Sequence, residues 1–373
     1  MFIPEINAVK ELKKFLSNRK FKKIFILTGK NSYFKSGAYK IFNKILIGKN
    51  THYYYKKFPY PNISELKKII ISLRNANPDL LVAIGGGCVL DYAKMANVLE
   101  IKKNLNHGII NSNSIIKKKY YKFLAIPTTA GSGAEVTENS VIYLNKKKYS
   151  LEHELLKPDF FFIIPELIIK APKKIKASAG FDAISQSLES IISRKSNSKS
   201  VSFAKKSLNL SLRNFSNHIK KPSIENTFNM ALAANLSGHA ISISKTTAPH
   251  ALSYPFTSHF NINHGHAVSL TLNDFMKFNF LNKNKSNCRF DLKKRFDLIF
   301  KIAKVNNILE FDRFLSNLKK AAGLEGDFKK LGIIIKKDYT KIMTGVNSQR
   351  LNNNPITICR SDLLDILFKK NFS

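Results

Sequence analysis

The sequence predicts a doubly wound α/β domain followed by an all-α domain. Apolar runs that end in glycine, at 22–30 and 78–87, alternate with segments of helical period over the first 170 residues. Beyond about residue 170 the short strands fade and helical periods take over. A chain of 373 residues is too long for one compact core of ordinary size, and 44% hydrophobic content is enough to fill two. The expected division is residues 1–170 and 171–373, with the boundary set only by the change of period.

Taken in order, KKIFILTGK (22–30) reads as a buried parallel strand feeding a turn at Gly29, and THYYYKKF (51–58) as a second strand. SELKKIIISLRNAN (64–77) has apolar residues at helical spacing, with Ser64 as its expected cap and Asn77-Pro78 as its stop. PDLLVAIGGG gives another strand and a glycine turn, CVLDYAKMANVLE continues as helix, and KFLAIPTTAGSGAEVT (122–137) is a strand that breaks into a loop at Pro127. In the second half KIKASAGFDAISQSLESIIS, SFAKKSLNLSLRNFSNHI, ENTFNMALAANLSGHAISIS and KRFDLIFKIAKV all carry helical periods.

The charge balance is extreme: 62 Lys+Arg against 25 Asp+Glu, a formal +37. Such a surplus invites a nucleic-acid partner, but its distribution argues against one. The lysines come as doublets along the whole chain (13/14, 67/68, 173/174, 220/221, 319/320, 369/370) and form no stripe on one element. The basic field instead suits steering of a small anionic substrate. Three widely spaced cysteines, Cys88, Cys288 and Cys359, fit a reduced, cytoplasmic compartment and no disulfide framework. MFIPEINAVKELKKFL carries charges where a signal peptide would be apolar, and the most apolar run, FFFIIPELII (160–169), is too short to span a bilayer.

Three stretches carry chemistry. GGGCVLDYAK (85–94) sets three glycines between a strand and a helix, where the backbone can approach a ligand closely and exposed N–H groups favour phosphate. PTTAGSGAEVT (127–137) is a second loop of small hydroxyl and glycine residues at a strand's carboxyl end, so that the pair suggests a dinucleotide. APHALSYPFTSHFNINHGHAVSL (248–270) gathers four of the nine histidines, His250, His259, His264 and His266, in the same domain as Asp182. One carboxylate, two imidazoles and a further oxygen make a workable site for divalent iron or zinc.

Together these motifs resemble the iron-containing (group III) alcohol dehydrogenases over nearly the whole chain. GGGCVLDYAK is similar to that family's GGGS-x-x-D-x-AK, IPTTAGSGAEVT to its PTT-x-G-[ST]-[GS]-x-E-V-T, AGFDAISQSLES to its GxDA-x-x-HA-x-E, and NHGHAV to its HG signature. The resemblance implies a Rossmann-like nucleotide domain and a helical metal domain, the dehydroquinate synthase-like architecture, with the site in the cleft between them and a homodimer as the assembly. It implies metal ligands at Asp182, His250 and His264, with Gln186 where the family's first histidine stands. For NAD(P)H it implies Gly85, Gly86, Gly87 and Asp91 on the pyrophosphate and ribose side, Thr128, Thr129 and Ser132 in the second loop, and Lys148 near the ribose.

Two departures stand out. Gln186 replaces an imidazole by a harder, neutral oxygen donor, which weakens Fe²⁺ or Zn²⁺ binding. Tyr254 stands where many members carry a further histidine, and its hydroxyl can pass a proton; His266 is the other candidate for that step. DAISQSLES, SKTTAPH and VNSQRLNNNP look closest to the phosphonoacetaldehyde reductases of the family, which make 2-hydroxyethylphosphonate. On that resemblance Lys245, Thr246 and Thr247 would hold the phosphonate, with Arg350 as a weaker anion candidate; the alternative is that the two threonines cap the helix beginning near Pro249. After the first strand Thr28-Gly29-Lys30 offers no acid to an adenosine ribose, which tolerates a 2′-phosphate without deciding between NADH and NADPH. Two other functions compete: a general short-chain alcohol or aldehyde dehydrogenase of the same family, and an impaired remnant that binds nucleotide or polyanion.

Overall fold

The structure is a computed structural model that describes residues 8–19, 21–111, 115–145 and 147–369. Lys370 of the last lysine doublet and the first seven residues of the N-terminal segment lie outside the described residues. The chain divides into two compact units, Met1–Pro172 with Pro222–Asn235, and Lys173–Lys221 with Leu236–Ser373.

The first unit opens with α1 (Ala8–Asn18), β1 (Lys23–Gly29), α2 (Lys30–Lys35), α3 (Ala38–Ile45), β2 (Asn50–Lys56) and α4 (Ile63–Ala76). It continues with β3 (Leu80–Gly85), α5 (Gly87–Val98), α6 (Leu105–Asn111) and β4 (Lys122–Pro127). After these come β5 (Asn139–Leu144), β6 (Lys147–Glu152), β7 (Phe160–Phe161) and α7 (Pro165–Ile168). Five strands form one parallel sheet in the order β2-β1-β3-β4-β7, while β5 and β6 pair as an antiparallel hairpin.

Alternation along the strands explains why both faces are covered. Leu80, Val82 and Ile84 of β3 join a core with Leu12, Phe42 and Leu167, whereas Leu81 and Ala83 join a core with Leu66, Ile69 and Met95. A strand buried on both sides must be apolar throughout, and LLVAIG is. Ser64 is not the cap of α4: Asn62 is, its side chain accepting the Glu65 N–H, and the Ser64 hydroxyl donates back to Asn62 Oδ1. The helix begins two residues earlier than a cap at Ser64 implies, and Ser64 therefore lies inside the first turn. Asn77 ends it in the left-handed region at φ 39°.

The second unit is helical. It contains α8 (Lys173–Ile192), α9 (Ser198–Lys220), the latter part of α10 (Ile224–Ser244), α11 (Ala248–Phe260) and α12 (His264–Leu281). Then follow α13 (Leu292–Ala303), α14 (Ile308–Ala321), α15 (Ile335–Thr344), α16 (Ser348–Leu351) and α17 (Arg360–Lys369). Residues 224–235 of α10 count with the first unit, where the Asn235 amide donates to the buried Glu135 carboxylate. Among the described residues no helix is long and apolar enough to cross a membrane.

Helices α8 and α12 meet at a glycine. A Cβ at Gly265 would stand 2.0 Å from the Ser178 carbonyl oxygen and 2.7 Å from Asp182 Cβ, so the two helices can approach this closely only because position 265 has no side chain. Gly265→Ala is therefore expected to lower stability by about 3 kcal/mol, read as a fall in the denaturation midpoint. Gly326→Ala, where nothing lies within 4 Å of the added carbon, serves as the neutral control.

Candidate metal centre and nucleotide cradle

Helix α8 presents Asp182, Gln186 and Glu189 at positions i, i+4 and i+7, one face of a 3.6-residue period, and all three are buried. Opposite Asp182, α11 contributes His250 from its first turn and α12 contributes His264 as its first residue. One ligand atom from each of Asp182, His250 and His264 lies within 4.8 Å of the others. His250 Nε2 stands 3.2 Å from Asp182 Oδ1. Two ligands about 2.1 Å from one tetrahedral ion stand roughly 3.4 Å apart, so this spacing suits a shared divalent ion.

Glu189 completes the arrangement, and its role was not legible in the sequence. Its Oε1 lies 2.5 Å from His250 Nδ1, and its Oε2 accepts from the Thr247 N–H at 2.7 Å and the Thr247 hydroxyl at 2.9 Å. A carboxylate on Nδ1 leaves the Nε2 lone pair for a metal, the carboxylate–histidine–metal pattern. Burial by itself lowers the His250 pKa, but Glu189 and Asp182 more than offset it and hold the ring above its ordinary range. An incoming ion must therefore displace a proton. The signal available in the sequence was the third polar position on the Asp182 face, seven residues on.

The other expected residues divide. Gln186 Oε1 accepts from the Ser237 hydroxyl at 2.8 Å, which leaves its second lone pair for an ion. Tyr254 is buried one turn beyond His250, with its ring centroid 6.1 Å from that of His264. His266 does not join the cluster: two residues past His264 it points roughly 200° away around the helix, its Nε2 meeting the Glu325 carbonyl at 2.7 Å and its N–H donating to Ser178 Oγ. Burial holds its pKa below the ordinary value, and the ring anchors residue 325 through its bond to that carbonyl.

The expected anion segment changes too. Thr247 occupies the cap position of α11, but its hydroxyl makes no cap bond and is spent on Glu189. A carboxylate at that spot repels a phosphonate, so Thr247 is not a phosphonate donor. Lys245 is half-buried in the left-handed region at φ 58°, Thr246 is buried, and the Thr246 carbonyl accepts from Asn353. Arg350 is buried on α16.

In the first unit the two loops meet. A Cβ at Gly86 would lie 3.3 Å from Thr129 Oγ1 and one at Gly87 would lie 3.1 Å from Ser132 Oγ, while the Thr128 N–H donates to the Gly85 carbonyl. Glycine backbone, two hydroxyls and the N-terminus of the twelve-residue α5 thus come together, the donor set a diphosphate needs. Asp91 stands on the next turn; burial pushes its pKa up to about 6 against the pull of Lys94 and Lys148. Lys94 shapes the cradle from behind, its buried ammonium donating to the Thr137 carbonyl and hydroxyl and to the Asn139 carbonyl. A lysine between the apolar residues Ala93 and Met95 was the available sign of it.

Comparison with known proteins places these features. Residues 2–165 match the model described as "Iron-containing alcohol dehydrogenase", and residues 176–371 match "Fe-containing alcohol dehydrogenase family, C-terminal". A long-chain-alcohol dehydrogenase of Geobacillus thermodenitrificans is 29% identical over 228 residues, covering 60% of this chain and 58% of that protein. A phosphonoacetaldehyde reductase of Streptomyces viridochromogenes is 29% identical over 220 residues, covering 56% and 55%. The chain thus spans little more than half the length of these curated relatives. The solved structure of a sulfoacetaldehyde reductase from Bifidobacterium kashiwanohense in complex with NAD⁺ shares the fold, with a TM-score of 0.85, 24% identity and coverage of 98% and 95%.

Two substitutions test the centre. Glu189→Gln is expected to weaken Co²⁺ or Zn²⁺ binding by roughly 10- to 100-fold, because the amide no longer fixes the His250 tautomer. Gln186→His is expected to tighten it by about tenfold, measured by competition with a chromophoric chelator; unchanged affinity in both would remove these residues from the centre.

Proposed function

The chain belongs to the iron-containing alcohol dehydrogenase family, and on that footing we propose that it is a metal-dependent NAD(P)H oxidoreductase that reduces a small aldehyde to a primary alcohol. The cluster of buried Asp182 and His250 with half-buried His264, and Glu189 behind it, carries this reading. A divalent ion held there supplies Lewis acidity to a carbonyl oxygen, and a nicotinamide supplies hydride. The rest is done by the chain. Asp182 brings the negative charge of the set, Gln186 offers a neutral oxygen, Glu189 keeps His250 Nε2 directed at Asp182, and Tyr254, its ring 6.1 Å from that of His264, is the candidate to pass a proton.

The finer reading is phosphonoacetaldehyde as the aldehyde. The Streptomyces relative supports it, as does the Lys245 ammonium just ahead of His250. A second reading, a general short-chain aldehyde reductase, is favoured by the loss of the Thr247 hydroxyl to Glu189. Metal-reconstituted protein should oxidise NADH or NADPH with an aldehyde, and Asp182→Ala should lower kcat/KM by roughly a thousandfold, about 4 kcal/mol. A preference of about a hundredfold (2.7 kcal/mol) for phosphonoacetaldehyde over propionaldehyde, reduced in Lys245→Ala, supports the finer reading. Equal rates on both aldehydes select the second.

A further inference from the structure

Helix α9 is fastened to α8 along one face: the Ser187 hydroxyl donates to Ser207 Oγ at 2.7 Å, and the Phe181 and Phe215 rings meet with centroids 6.1 Å apart. Lys205, Asn209, Leu212 and Arg213 stand at i, i+4, i+7 and i+8, a stripe that runs off that seam. With the end of α13 and with Phe314 of α14, this stripe lines an open depression of about 480 Å³ within the second unit. That is the size of a small-molecule site. None of its residues belongs to α8, α11 or α12, the helices that carry the candidate metal cluster.

Leu212, Leu298, Ile302 and Phe314 give the depression apolar surface, each of them half-buried. Lys205, Arg213, Lys301 and Lys304 give it four cations, and no carboxylate lines it. The acids of these helices are engaged elsewhere. Helix α9 has none in its 23 residues, and Asp297 of α13 takes the Lys293 ammonium at 2.9 Å. On α14, Glu310 accepts from Asn306 and Asn307, and Asp312 accepts from Asn273 and Lys277. Among the described residues no ion pair reaches any of the four cations. Like charge disfavours a second copy of this face as the occupant. The neutral polar side chain, Asn209, spends its amide on the Lys205 carbonyl at 2.9 Å, so the lining suits an alkyl chain better than a sugar or a base. Apolar surface and uncompensated positive charge together match an alkyl chain that ends in an anion.

We propose that the depression between α9, α13 and α14 is a second ligand site, which takes a medium-chain fatty carboxylate with its chain on the leucine, isoleucine and phenylalanine side chains and its carboxylate among the lysines and Arg213. The site is independent of the reductase reading, so its test reads binding without turnover. Decanoate, decanol, hexanoate and acetate are titrated calorimetrically into the full chain. Decanoate is expected to bind tighter than hexanoate by about tenfold or more, because of its four further methylenes, and tighter than decanol by about tenfold. Lys301→Gln should weaken decanoate by about threefold and the double variant Lys205→Gln/Lys301→Gln by about tenfold. Lys293→Gln, which lies on α13 outside the depression and is paired with Asp297, should leave it within about 1.5-fold. Acetate as tight as decanoate would reduce the site to a cationic surface, and decanol as tight as decanoate would reduce it to an apolar one; either overturns the proposal. So does a decanoate affinity that the double variant leaves unchanged, which would put the ligand elsewhere on the chain, and so does no binding of decanoate at all.

Discussion

A fully buried carboxylate, Glu189, is the constraint on which the candidate metal centre depends. A charge taken out of water is tolerable only when its oxygens are matched by donors, and the donors here all come from the start of α11: the Thr247 N–H, the Thr247 hydroxyl and His250 Nδ1. That match binds the first turn of α11 to α8 and decides which nitrogen of His250 faces Asp182. Gly265 supplies the second constraint, letting α12 come close enough to α8 for His264, the preceding residue, to meet the same point. Three helices converge on one position because one carboxylate needs three donors and one residue has no side chain.

The candidate nucleotide cradle is built on the same logic with the charges reversed. Lys94 is the buried cation, and burial pulls its pKa down to about 8 against the neighbouring Asp91 and Glu135. Its donors meet the Thr137 and Asn139 oxygens, which fixes the far end of the hydroxyl loop against α5. The glycines at 85–87 are needed for room rather than for unusual dihedrals: Gly86 has φ −75°, and none of the three has a positive φ.

Strands β1, β3 and β4 were legible because burial on both faces forces continuous apolar runs, and the long helices because their period survives over several turns, whereas the two-residue edge strand β7 was not read. The β5–β6 hairpin was not: KKYSLE alternates weakly, and its pairing is fixed by tertiary contact with α5 and α4. His250 and His264 stood out as two of four histidines in one short window, and the resemblance to the family's motifs singled them out together with Asp182. Gln186 was visible only as a departure from a pattern. Glu189, Lys94 and the anchoring role of His266 were hidden for a common reason: each is defined by what its side chain touches far along the chain, which spacing does not encode. Thr247 was misjudged as an anion donor because Glu189, its partner, had not been given a role.

The central claim is that Asp182, His250 and His264 hold a single divalent ion. Anomalous scattering from crystals of the zinc- or iron-reconstituted protein tests it most directly. The account predicts one peak per chain, about 2.0–2.2 Å from Asp182 Oδ1, His250 Nε2 and a His264 ring nitrogen. A fully loaded crystal with its peak elsewhere, or with His250 turned so that Nδ1 leaves Glu189, would contradict it.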